Sequence, residues 1–63
     1  MNIGENIRRI RMSQKMTQGE LAQHLQISQA MLCQLERGTK ILSLPLGKEI
    51  ADALGCQLND LIV

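Results

Sequence analysis

Apolar residues recur at helical spacing in four successive stretches and a short fifth, and no stretch alternates with the period of two that a strand requires. In the first, Ile3, Ile7 and Ile10 fall at i, i+4 and i+7, and Asn2 with Glu5 supplies a capping pattern, which predicts a helix ending near Gln14. The second begins at Thr17, with Glu20 three residues on, the reciprocal pair that satisfies two orphan amides. It carries Leu21, Ala22 and Leu25 on one face. The third begins at the N-cap residue Ser28, carries Met31, Leu32 and Leu35, and meets a left-handed stop at Gly38. His24, Gln26 and Ile27 are left for the turn between the second and third helices. From Thr39 to Leu42 no period is visible. Ser43 followed by Pro45 opens a fourth helix, with Leu46, Ile50, Ala53 and Leu54 on its inner face and Gly55 as its stop. Leu58, Leu61 and Ile62 predict a short fifth helix. The expected fold class is all-α, five helices around an aliphatic core.

With 63 residues the chain is expected to form one domain, residues 1–63, and to leave no room for a second. A domain this small buries only about 60% of the surface its unfolded chain exposes, so a partner subunit is an economical source of further stability. Cys33, Cys56 and the lone His24 have no metal-ligand spacing, and neither a metal nor a cofactor is expected. With no leader before the first helix and no apolar run near the roughly 20 residues of a membrane span, the expected setting is cytoplasmic, soluble and reducing. Phe, Tyr and Trp are all absent, which removes binding of single strands by base stacking. Met12, Met16 and Met31, at helix edges, read as gap fillers in the core.

Net charge is only +1, but its distribution is uneven. Arg8, Arg9, Arg11, Lys15, Arg37 and Lys40 outweigh Glu5, Glu20 and Glu36 in residues 1–40, a balance of +3. Lys48 against Glu49, Asp52 and Asp60 leaves the remainder at −2. A positive front and an acidic back suit a polyanion binder, and ordinary surface scatter would produce the same balance equally well. At about 100° per residue, Gln29, Ala30, Cys33 and Gln34 share one arc of the third helix, opposite Ser28, Met31, Leu32 and Leu35. A glutamine amide can pair with the N6 and N7 edge of adenine, and an alanine methyl can touch the methyl of thymine. These four are the base-reading candidates, with a plain solvated face as the alternative and, for Cys33, a small filler at the surface edge.

These residues do not stand alone. Thr17, Gln18, Glu20, Leu21 and Ala22 followed by Leu35, Glu36, Arg37 and Gly38 form a specific pair of segments. Ile3, Gly4, Ile7, Arg8 and Arg11 agree before them, and Ser43, Leu44, Ile50, Ala51, Ala53, Leu54, Gly55, Leu58, Asp60 and Leu61 after them. On these residues the chain resembles the Cro and lambda-repressor (XRE-like) type of helix-turn-helix domain, in which five helices pack around a groove-reading third one. The resemblance implies that Gln18 and Gln29, at the starts of the second and third helices, face DNA. Thr17 and Gln18, at a helix N-terminus with free amides, would hold a phosphate, and Gln34 would read a further base or bridge to one through water. Arg37 and Lys40 correspond to phosphate clamps. Glu36 lies within about 40° of Leu32 on the helix wheel and points partly inward, and the resemblance pairs it with Arg11 in a structural ion pair. The chain departs from the pattern at Gln26, where glycine is usual in the turn, at Leu42, where proline is usual, and at Gly47, where a buried leucine is usual. Gly47 is expected to weaken the fourth helix by about 1 kcal/mol, with a slightly loose core around it as the alternative to an apolar contact surface there.

The expected function is a sequence-specific, double-stranded DNA-binding transcriptional regulator of repressor type from a prokaryote or phage, not an enzyme. It would act as a homodimer on a palindromic operator, with the third helix (28–36) in the major groove. Leu42, Leu44 and Leu46, with Ile62 and Val63 as a second patch, are the candidate dimer contact. The alternative is an antitoxin-like or adaptor module that uses the same leucines to hold a protein partner.

Overall fold

The computed structural model of the protein describes residues 2–62. Five helices follow one another: α1 (Ile3–Ser13), α2 (Gln18–Leu25), α3 (Gln29–Arg37), α4 (Leu44–Leu54) and α5 (Leu58–Ile62), with no strand among the described residues. Each of the first four starts where a short polar side chain can accept an otherwise orphan amide. Asn2 Oδ1 accepts from the Glu5 amide at 3.1 Å, Thr17 Oγ1 from Glu20 at 3.0 Å, Ser28 Oγ from Met31 at 3.0 Å and Ser43 Oγ from Leu46 at 3.3 Å. At Thr17 the box is complete, because the Thr17 amide donates back to Glu20 Oε1 at 2.9 Å. That bond, followed by the one from the Thr17 hydroxyl, holds the Glu20 carboxyl below its ordinary pKa. The carboxylate's half of the box therefore contributes fully above the pKa of an unfolded-chain glutamate and is lost as pH falls through the lower folded value.

Helix ends are as local as the starts. Gly38 (φ 81°) and Gly55 (φ 71°) close α3 and α4 in the left-handed conformation. The α2 terminus needs the same geometry without glycine: Gln26 adopts φ 60° and ψ 39°, and its amide bonds the Ala22 and Gln23 carbonyls. The turn keeps the shape a glycine would give it, at a backbone cost of about 1 kcal/mol. Because those bonds extend α2 through Leu25, His24 belongs to the last turn of the helix and not to the connection, as its sequence position had suggested.

Ile7, Leu21, Leu32, Ile50 and Leu61, one from each helix, form a fully buried centre, joined by Ala22, Leu35, Ala51 and Leu54. In α4 the buried set is Gly47, Ile50, Ala51 and Leu54, the i, i+3, i+4, i+7 quartet. Leu46 and Ala53, expected on that inner face, flank it and are half-buried against the core. Gly47 is not a void: a Cβ there would lie 3.3 Å from Leu58 Cδ1 and 3.4 Å from Leu42 Cδ2, so those leucines have closed over it. A cleft of about 140 Å³ remains beside it, lined by Ile3, Leu42, Leu44, Leu58, Leu61 and Ile62 among others. Met16 and Met31 pack against the core as expected, whereas Met12 is 55% exposed, because it lies on the face of α1 turned away from Ile7 and Arg11.

Two polar side chains, Asn6 of α1 and Gln14 at its C-cap, tie the carboxyl ends of the back helices to it. Asn6 Nδ2 donates to the Leu61 carbonyl at 2.8 Å, and Gln14 Nε2 donates to the Leu54 carbonyl. Both satisfy carbonyls that α4 and α5 cannot bond internally.

Candidate nucleic-acid interface

The α2–turn–α3 unit presents α3 with Leu32, Leu35 and Glu36 inward and Gln29, Ala30 and Gln34 fully outward; Cys33 lies half-buried at the border of that arc. The Gln29 and Gln34 side chains make no hydrogen bond among the described residues. Gln29 leans back across the turn: its Oε1 lies 3.5 Å from where a Cβ on Gly19 would stand, so the first turns of α2 and α3 meet at one edge.

Behind that edge lies a buried polar knot. Arg11 Nε donates to Glu36 Oε2 at 2.7 Å and Arg11 Nη2 to Oε1 at 3.1 Å, a two-point bond between side chains that are 9% and 3% exposed. The remaining Arg11 reach is used on the Met16 carbonyl, to which Nη1 donates at 2.8 Å. Gln18 Nε2 donates to Glu36 Oε1 at 3.0 Å, so Glu36 holds α1 and the start of α2 at the same point of α3. A planar guanidinium suits this fork, and among the described residues no buried side-chain polar atom lacks a partner. Gln18 therefore spends one amide hydrogen inward and keeps its other hydrogen and its carbonyl for solvent or a ligand.

Arg37 and Lys40 are exposed at the end of α3 and just beyond it. Arg37, with Arg8 of α1, Gln18, Cys33 and Glu36, lines an open recess of about 460 Å³ at the junction of the three front helices. Helical spacing within α1 gives no sign that Arg8 shares a recess with α3, so the sequence does not mark it as a site residue. Thr17 stands at the α2 N-terminus, its hydroxyl oxygen engaged by Glu20.

The proposed back contact is rearranged. Leu42 and Leu46 fold onto the core and Ile62 is half-buried, while Leu44 is 70% exposed; Val63 lies outside the described residues. Ile41, absent from the apolar residues that the sequence points to, is 94% exposed. Cys33 and Cys56 are free thiols. Burial, and then the nearby Asp60 carboxylate, push the Cys56 thiol pKa up, which disfavours the thiolate. Among the described residues there is no cluster of metal-ligating side chains, and no helix is long and apolar enough to cross a membrane.

Two short helices at a tight turn, the second with an uncovered polar face and the first capped against it, define a helix-turn-helix. The helix-turn-helix family profile matches residues 7–61, and the chain belongs to that family. It is 34% identical over 62 residues to the immunity repressor protein of Bacillus phage phi105, a match covering 98% of this chain and 43% of the repressor. The chain thus spans less than half the length of that relative. The clp gene regulator ClgR of Corynebacterium glutamicum superposes with a TM-score of 0.94 at 33% identity, covering 97% of this chain and 65% of ClgR. A second ClgR structure gives 0.93 at 33% identity, with 97% and 79% covered.

Proposed function

We propose that the protein is a DNA-binding transcriptional regulator that reads duplex sequence with α3 in the major groove. The observation that carries this reading is the outward arc of α3, where Gln29, Ala30 and Gln34 are exposed and Cys33 borders them, with cations at its far end. The amide groups of Gln29 and Gln34 can offer a donor and an acceptor together to a base edge. Thr17 and Gln18, at the amino end of α2, with Arg37 and Lys40, grip the flanking phosphates. The membership of the helix-turn-helix family and the likeness to a phage immunity repressor and to a gene regulator support the same reading.

Gln29→Ala and Arg37→Gln separate the two roles. The first should relax base choice at one position of a selected operator, at a cost of about 1–3 kcal/mol for the preferred base. The second should weaken binding to every sequence and reduce the slope of affinity against salt by about 1. Both are read by fluorescence anisotropy on single-base variants across a salt series. Unchanged binding by both variants would refute these assignments.

The protein acts as a two-fold dimer, placing two copies of α3 about 34 Å apart on a palindromic site. The supporting feature is the pair of exposed apolar side chains Ile41 and Leu44, the second of which lines a cleft with Leu58 and Leu61. Sedimentation at micromolar concentration should show a dimer that Leu44→Asp turns into monomer; a monomer in both cases counts against it. The same side chains would serve an adaptor, and capture of one stoichiometric protein with no enriched DNA would favour that reading.

A further inference from the structure

The arginines of α1 differ in what they have left to offer. Arg11 is consumed inside the molecule by Glu36 and the Met16 carbonyl. Arg9 donates to Asn6 Oδ1 at 3.4 Å, shares a cleft with Arg8, Glu5, Asn6 and Met12, borders another with Ile10, Cys56 and Asp60, and does not line the front recess. Arg8 is exposed and makes no hydrogen bond or ion pair among the described residues. It lines the front recess together with Arg37, Gln18 and Cys33.

The position of that recess gives Arg8 its meaning. Gln29, Cys33 and Arg37 stand at i, i+4 and i+8, one stripe along α3, and the recess opens beside the last two. Its charge is positive. Glu36 is cancelled by Arg11, leaving Arg8 and Arg37 against Glu5 alone. A duplex seated on the stripe would carry its sugar-phosphate backbone along the recess mouth, within reach of a guanidinium whose fork fits phosphate oxygens.

We infer that Arg8 is a phosphate-contacting residue, so that the DNA footprint extends from the helix-turn-helix onto α1. The inference rests on the DNA-binding reading above and adds one backbone contact to it. Arg8→Gln and Arg9→Gln remove the same charge from adjacent positions of one helix, so long-range electrostatics weigh on both alike and a direct contact on only one.

The test measures affinity for a mixed-sequence duplex by anisotropy between 50 and 200 mM salt, with far-UV circular dichroism to establish that each variant is folded. Arg8→Gln should make the slope of log affinity against log salt shallower by about 0.9, the effect of one lost phosphate contact on duplex DNA. Arg9→Gln should change it by less than half as much, and Arg8→Lys should keep most of the slope. Equal slopes for the Gln variants at positions 8 and 9 would overturn the inference while leaving the DNA-binding reading intact. Absence of binding by the unmodified protein at the lowest salt would overturn both.

Discussion

Glu36→Ala will destabilise the protein by about 3 kcal/mol or more, the range for stranding one member of a buried ion pair. Arg11 is only 7% exposed, so its guanidinium cannot recover water when the carboxylate is removed, and the Met16 carbonyl alone remains as its partner. A chain of this size holds a stability of about 3–9 kcal/mol in total, so the loss threatens the folded state itself. The melting midpoint, followed at 222 nm by circular dichroism, should fall by at least about 12 °C. Replacing both partners by apolar residues, Arg11→Met with Glu36→Leu, should recover most of that loss, because the penalty lies in the unpaired charge more than in the absent bond. If the double variant melts no higher than the single one, the cost does not come from the stranded guanidinium.

Gly4→Ala should be nearly as damaging, although it adds one methyl to an exposed-looking first turn. A Cβ at position 4 would stand 2.5 Å from the Leu35 carbonyl oxygen, closer still to that of Glu36, and 2.8 Å from the Glu36 carbonyl carbon. These are backbone atoms at the carboxyl end of α3 and have no rotamer by which to withdraw. The start of α1 would have to lift off α3, which also stretches the Arg11–Glu36 bond. Overpacking of this kind costs about 3 kcal/mol, beyond the roughly 1 kcal/mol that alanine gains over glycine as a helix former. Thermal melts of the variant decide the matter, and a midpoint at or above that of the parent protein would show that α1 and α3 do not approach as described.

Which features could be read from the sequence follows from the range of the forces involved. Helix starts were legible because Asn2, Thr17, Ser28 and Ser43 act on amides three residues away, and helix stops because Gly38 and Gly55 mark a local conformation. The outward arc of α3 was legible from helical period alone. Facts that join distant segments were not. Gly4 reads as a poor helix former until Leu35 and Glu36 are brought against it, and Asn6 and Gln14 read as surface amides until α5 and α4 end beneath them. Arg8 gains its interest only from a recess shared with α3. At the back, the segment before α4 has no period, so Leu42 reads as part of a dimer contact; in the fold it drops onto Gly47 and leaves Ile41 outside.

Selection of binding sites from a random duplex pool, followed by titration of the winning sequence over a salt series, tests the central claim most directly. The account predicts a two-fold motif with half-sites about one helical turn apart and an affinity that falls steeply as salt rises. No enriched motif, together with a flat titration at low ionic strength, would contradict it.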